Sequence, residues 1–297
     1  MSLFVKFWGT RGSIPTPGYR TARYGGNTPC VEIRTGTTLI VCDAGSGLRE
    51  LGMDLVRRFG NDPITVHLLL SHTHWDHIQG FPFFPPAYLP STTIHVYGPS
   101  EVGRTSCQLL AGQMESAHFP VTFSALPARI LAGEFERGEA RIGDVAVGTF
   151  GNCHPGGGLG FSFALGGRKI VYATDAELDR CLANADAAAA DPSAAREFPA
   201  DLVDFVRGAD LFIADAQYTD REYPQKVGWG HPSASTVVDL AVRADVKQLA
   251  LFHHDPMQSD ADVDQKVAAC LKRVHAEGWR ETPQVFGARE GVELKIV

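Results

Sequence analysis

Ser71-His72-Thr73-His74-Trp75-Asp76-His77-Ile78-Gln79-Gly80 places three histidines and one aspartate within ten residues. The run follows Thr65-Val66-His67-Leu68-Leu69-Leu70, which reads as a buried β-strand. His72 and His74 stand two apart, so in an extended segment both imidazoles leave the same side of the chain. Asp76 and His77 fall where the strand turns and can aim at a second point nearby. Borderline-soft divalent metals take imidazole nitrogen and carboxylate oxygen. The pattern therefore suits two metal ions side by side, with a water between them as nucleophile.

The composition limits the alternatives. A chain of 297 residues, 44% hydrophobic and 21% charged, is ordinary for a soluble globular protein. No repeat, long linker or low-complexity run divides it, so one domain over residues 1–297 is expected. A formal net charge of −7 and a pI of 5.9 argue against a broad basic surface for large nucleic acid. A local pocket for a small phosphate stays open. The six cysteines form no C-x-x-C pair, the start carries no signal peptide, and no apolar run is long enough to span a bilayer. A cytoplasmic protein with reduced thiols and no membrane partner is expected. Cys42 and Cys153 read as small buried hydrophobes.

Along the chain, Leu3–Trp8 is strand-like and 9–18 is a turn-rich loop. Val31–Arg34 and Thr38–Cys42 read as a hairpin, and Leu48–Phe59 has helical spacing. After the histidine run come the aromatic and proline-rich Phe81–Pro90, a strand at Ile94–Tyr97 and a helix over Glu101–Ser116. Residues 121–174 read as successive short strands. Glu177–Gly208 reads as Ala-rich helix interrupted at Pro192 and Pro199. Strands at Leu211–Ala214, Gln248–Phe252 and Val292–Val297 alternate with helices at Ser233–Arg243 and Asp260–Glu277. Strand clusters separated by helices, in two halves, suggest two packed sheets with helices outside.

A two-metal centre needs more ligands than one run supplies. His154 follows the strand Val145–Phe150, Asp175 ends Lys169–Thr174, and His253 ends Gln248–Phe252. Strand ends are where such architectures carry functional groups. With Asp43 and the His72-x-His74-x-Asp76-His77 core, these positions resemble the metallo-β-lactamase fold, and within it the phosphodiesterase branch. The resemblance runs from about residue 3 to the C-terminus. It implies an α+β, four-layer αββα sandwich with the site along one edge. It also implies two divalent ions, zinc or manganese. His72, His74 and His154 would hold the first; Asp76, His77 and His253 the second; and Asp175 would bridge them. Asp43 would hold the ligand loop by hydrogen bonds. His254 competes with His253, which is preferred because it directly follows the apolar Leu249-Ala250-Leu251-Phe252.

Gly230-His231-Pro232-Ser233-Ala234-Ser235 resembles a motif of the tRNase Z group of tRNA 3′-processing endonucleases and related phosphodiesterases. There the histidine, paired with an acidic residue, helps protonate the leaving oxygen. Asp215, in Ile213-Ala214-Asp215-Ala216, would be the partner here. A carboxylate orients an imidazole and raises its pKa, which suits a general acid. Turnover is expected to depend on His231, Asp215 and Asp76. The opening Phe7–Gly18 and the later His154–Phe161 look closest to cyclic phosphodiesterases of the carbon–phosphorus lyase pathway type. The extra cysteine-rich zinc site of that type is missing, since only Cys30 lies in the matching region. No long Gly- and Lys-rich arm for gripping tRNA is present.

The expected function is therefore a dinuclear-metal phosphodiesterase for a small, cyclic phosphodiester such as a cyclic nucleotide or cyclic sugar phosphate. The oligomeric state stays open, with a homodimer the one possibility that analogy with relatives offers. Competing readings are an acyl hydrolase acting on a lactone, lactam or thioester, a di-iron redox protein, and a non-catalytic metal-binding sensor. Phe81, Phe83, Phe84 and Tyr88 could stack on a base, although core packing is the plainer reading for most of them. Arg11, Arg20 and Arg23 could hold a phosphate, or stand as solvated surface charges.

Overall fold

The computed structural model describes residues 2–99, 103–135, 138–191, 194–276 and 283–297. Its first half comprises Leu3–Gly9 (β1), Cys30–Arg34 (β2), Leu39–Cys42 (β3), Gly47–Phe59 (α1), Ile64–Leu69 (β4), Trp75–Ile78 (α2), Thr92–Tyr97 (β5), Ser106–Gly112 (α3) and Arg129–Ala132 (β6). Glu139–Ile142 (β7), Val145–Gly151 (β8), Leu159–Leu165 (β9) and Arg168–Ala173 (β10) follow as a meander. Leu178–Cys181 (α4), Ala185–Ala190 (α5), Ala200–Val206 (α6), Leu211–Asp215 (β11), Ala234–Arg243 (α7), Gln248–Phe252 (β12), Asp260–Ala276 (α8), Gln284–Gly287 (β13) and Glu293–Ile296 (β14) complete the described elements.

The strands form two seven-stranded sheets, ordered β14-β1-β2-β3-β4-β5-β6 and β13-β12-β11-β10-β9-β8-β7. Each has a parallel side, β3 to β6 and β10 to β13, so the C-terminal ends of those strands share an edge. The near-continuous apolar runs in the sequence arise because these strands are covered on both faces. Leu211 and Ile213 of β11 join Ile170, Tyr172, Ala250 and Phe252 against Val5, Phe7, Ile33 and Ile40 of the other sheet. Phe212, Ala214, Leu249 and Leu251 face outward, against Val206, Val237, Val238 and Val274 of α6, α7 and α8. On the far side Leu48, Leu51 and Leu55 of α1 cover Val41, Val66 and Val96. This is the expected four-layer αββα sandwich.

Several local expectations are corrected. The helix expected over Glu101–Ser116 is a short Ser106–Gly112, because Thr105 and Gln108 form a capping box that fixes its start; Glu101 lies outside the described residues. Thr105→Ala is expected to cost about 1 kcal/mol, measured from the urea midpoint. The Ala-rich stretch is three short helices, with its first break at Leu182–Asn184. Alanine supplies helix propensity but too little apolar surface to hold a long helix on the sheet. Pro192 and Glu277 lie outside the described residues, and Pro199 is the N-cap of α6. Within 121–174 the first strand starts only at Arg129, and it joins the first sheet. The strand Gln284–Gly287 escaped the sequence reading.

Candidate metal centre

The shared edge gathers the sequence candidates. After β4 the chain bends at Ser71, is extended at His74 and then makes the single turn α2, which swings Asp76 and His77 round. His72, His74, His154 and Asp175 present one donor atom each within 4.8 Å of one another, and so do Asp76, His77 and His253. Asp175 faces both groups with different oxygens. Its Oδ2 is 3.7 Å from His72 Nε2 and 3.9 Å from His154 Nε2. Its Oδ1 is 3.2 Å from His77 Nε2 and 3.3 Å from His253 Nε2. Asp76 Oδ2 is 3.2 Å from each of the latter two nitrogens. Neighbouring ligands of a tetrahedral zinc at 2.0–2.1 Å lie roughly 3.3 Å apart.

Two of the donors are orphaned, as a metal site requires. Nε2 of His72 and of His77 are buried with no hydrogen-bond partner among the described residues. The opposite ring nitrogens are occupied. His77 Nδ1–H donates to Asp43 Oδ2 at 2.9 Å, His253 Nδ1–H to Gln217 Oε1 at 2.8 Å, and His154 Nδ1–H to the Gly230 carbonyl at 3.0 Å. Such outer bonds fix the tautomer that leaves the inner nitrogen as a ligand. His74 Nδ1 lies 3.0 Å from His154 Nε2.

The charges point the same way. Burial alone would raise the Asp175 carboxyl pKa, yet His253, His77 and His72 hold it well below the usual range. Burial would lower the His77 pKa, but Asp76, Asp175 and Asp43 raise it well above 6.5. The buried carboxylates thus demand positive charge at their centre, which a divalent ion supplies. Asp43, Asp175 and His253 all adopt left-handed backbone at φ 62°, 50° and 55°. That strain in non-glycine residues is sustained only where the surroundings over-determine it.

Asp43 anchors the ligand loop. It accepts from Ser71 N at 2.7 Å, Ser71 Oγ at 2.9 Å and Tyr172 OH at 2.6 Å, besides His77. The Leu159 N–H donates to the Ser71 carbonyl at 2.8 Å and so ties the second sheet to the same loop. Ser13 N–H donates to Asp76 Oδ2 at 2.8 Å. Gly12 lies so close to His253 that a Cβ there would meet its Nδ1 at 2.4 Å. His254 is buried elsewhere, with its Nε2–H donated to the Ala288 carbonyl.

His231 lies against this centre. Its Nδ1–H donates to Asp215 Oδ2 at 2.8 Å, and its ring stacks on His253 at 4.9 Å with Tyr218 edge-on at 5.9 Å. Asp215 also accepts from Gln217 N at 2.9 Å. Burial lowers the His231 pKa, but Asp215 and Asp175 outweigh it and raise it to about 9. The buried Glu177 pins the loop before His231 by accepting from Tyr223 OH, Gly228 N and Gly230 N.

Gln217, Tyr172, Glu177 and Ser13 support the site but were not singled out from the sequence. Gln217 had one available signal, its place two residues after Asp215. Of the arginines, only Arg11 departs from both expectations. Arg11 is fully buried and donates to the carbonyls of Gly25, Asp255 and Gln258, clamping loops behind His253. Arg23 pairs with Asp264 at 2.5 Å, and Arg20 is exposed. Phe81 and Phe84 are core, whereas Phe83 is exposed. Tyr88 is half-buried and donates its hydroxyl to the Pro82 carbonyl. Cys42 is buried as expected, but Cys153 is only half-buried, where its thiol meets that of Cys181. Among the described residues no helix is long and apolar enough to cross a membrane.

Comparison with known proteins follows the same line. Residues 38–254 match the family described as beta-lactamase superfamily domain. Ribonuclease Z of Natronomonas pharaonis is 26% identical, over 85% of this chain and 87% of that protein. Ribonuclease Z of Pyrococcus furiosus is 24% identical, over 98% and 99%. Among solved structures, a diphosphatase of the PhnP family superposes with a TM-score of 0.64 at 14% identity, covering 100% of this chain and 98% of that one. The short form of human tRNase Z superposes with a TM-score of 0.63 at 17% identity, covering 98% of both chains.

Proposed function

We propose, from the premise that this chain belongs to the beta-lactamase superfamily and is a hydrolase, that it is a two-metal phosphodiesterase for a small, cyclic phosphodiester. The observation that carries this is the His231–Asp215 pair at 2.8 Å, set beside a donor set that Asp175 spans with both oxygens. His72, His74 and His154 would hold one ion, Asp76, His77 and His253 the other, and Asp175 both. Nitrogen and carboxylate donors suit zinc or manganese. When bound, the ions supply a water acidic enough to ionise near neutral pH and positive charge for the phosphoryl oxygens.

The chain's own residues do the rest. Asp215 holds His231 Nδ1–H, which leaves Nε2 to carry a proton to the departing ester oxygen. His253 and Tyr218 pack on its ring and limit its swing. Asp76, fixed by Ser13 N–H, would serve as a ligand together with His77 and His253. A histidine–carboxylate pair at this place is what the motif at 230–235 shares with phosphodiesterases, so the pair favours the phosphodiester reading. The relatives named ribonuclease Z point to RNA, but a net charge of −7 favours a small substrate over tRNA.

Hydrolysis of bis-p-nitrophenyl phosphate is expected to vanish with a chelator and to return with zinc or manganese. Elemental analysis of the active protein is expected to find two ions per chain. A protein that holds two ions but leaves this diester intact would shift the assignment to acyl hydrolysis, and His231 would lose its role.

A further inference from the structure

The helix α8 carries a lysine on its buried face. Lys266 is 2% exposed. Its Nζ donates to the Ala216 carbonyl at 2.6 Å, the Gln217 carbonyl at 3.2 Å and Gln258 Oε1 at 2.9 Å. Gln258 is held in turn, with its Nε2–H groups donated to the Gln217 carbonyl at 3.1 Å and to Glu222 Oε2 at 3.2 Å. Three acceptors around one nitrogen mark an ammonium, because a neutral amine has only two N–H groups to give. Burial pushes the Lys266 pKa down from 10.5 to about 8, which leaves it charged at neutral pH.

A buried ammonium is costly, and the usual remedy is a carboxylate partner. Here all three partners are neutral oxygens. Holding the helix on its sheet does not require the charge, since Val267, Cys270, Leu271 and Val274 of the same helix pack there already. The two carbonyls belong to successive peptide groups, and both peptides lead to His231. Gln217 N–H, on the peptide of the Ala216 carbonyl, donates to Asp215 Oδ1 at 2.9 Å, and Asp215 Oδ2 accepts His231 Nδ1–H at 2.8 Å. Tyr218 N–H, on the peptide of the Gln217 carbonyl, donates to the carbonyl of Pro232 at 3.3 Å. One cation thus stands at the head of two hydrogen-bond chains. The first ends on the carboxylate that holds the imidazole, the second on the residue that follows the imidazole. A charge at the head of such a chain polarises each peptide and strengthens the bond at its far end.

We propose that Lys266 is a positioning residue for proton transfer. Through peptides 216–217 and 217–218 it holds Asp215 and the 231–232 segment in register, so that the imidazole stays aimed at the departing oxygen. The proposal deepens the phosphodiesterase reading above and rests on its assignment of His231 as the acid.

Proton–nitrogen NMR of the zinc-loaded full chain with labelled histidine reads the His231 Nδ1–H directly, its resonance being assigned by loss in His231→Ala. In Lys266→Met, which keeps the stem without the charge, this proton is expected to exchange with solvent about tenfold or more faster, as loss of one hydrogen bond to a charged group implies. Lys266→Gln keeps an N–H donor and is expected to lie between; it decides the matter where Lys266→Met does not fold. Val274→Ala loosens the same helix and is expected to lower the melting midpoint without quickening the exchange. Unchanged exchange in the lysine variants, or equal quickening in Val274→Ala, overturns the proposal, because Lys266 would then only anchor the helix. On turnover, Lys266→Met is expected to slow a diester with an alkoxide leaving group about tenfold more than bis-p-nitrophenyl phosphate. Equal losses on the two diesters, where His231→Ala does tell them apart, overturn it too. Where His231→Ala does not tell them apart, the acid assignment falls instead, and the exchange measurement alone decides whether Lys266 holds His231.

Discussion

Replacing His231 by alanine is expected to lower kcat about 10²- to 10⁴-fold for a diester whose leaving group is an alkoxide. For bis-p-nitrophenyl phosphate the loss is expected to be much smaller, because p-nitrophenolate departs without a proton. That contrast separates an acid from a residue that merely props up the loop, since a structural fault would slow both substrates alike. The pH profile adds a second readout. The acid works protonated, so activity falls as pH rises through its pKa. Asp215 and Asp175 raise that value from 6.5 to about 9 in the metal-free site. Cations bound at Asp175 remove part of that support, so the alkaline limb is expected between these values. Asp215→Asn is expected to move the limb to lower pH and to slow the alkoxide substrate in the same way. Equal losses on both diesters would take His231 out of the proton path.

Asp43→Ala is expected to cost about 3–5 kcal/mol of stability, the range for removing one partner from a buried charged network. The change strands Ser71 N–H and Oγ–H, Tyr172 OH and His77 Nδ1–H in the core. The loop carrying His72 and His74 loses its anchor, so metal content is expected to fall as well. Urea unfolding and metal analysis of the same preparation check this. Asp43→Asn keeps an acceptor for Ser71 N–H and is expected to lie between wild type and alanine. An unchanged midpoint with both ions retained would show that Asp43 does not organise the loop.

Much of this architecture could be read from residue order. The run from His72 to His77 follows a largely apolar strand, and groups at the end of such a strand sit at the edge of the sheet. His154, Asp175 and His253 were found by the same rule applied to three other strand ends. The supporting groups were not. Tyr172 matters because its hydroxyl reaches Asp43 across the two sheets, and Gln217 because its amide reaches His253 from the neighbouring strand end; spacing along the chain carries no such information. Arg11 shows the reverse error: its charge suggested an anion, whereas four of its five donors are used on backbone carbonyls. The Ala-rich stretch misled because propensity counts residues and packing counts buried surface.

The spanning position of Asp175 has a consequence for the life of the protein in a cell. Its two oxygens reach donors that belong to different sheets, so each ion would act as a rivet through the seam of the sandwich. Anything that binds only the folded chain stabilises it by mass action. Starved of metal, the chain would keep its two sheets but lose the rivets, and the seam would open more often to proteases. Supply of the ion would then set how much of this protein persists, as well as how fast each copy works.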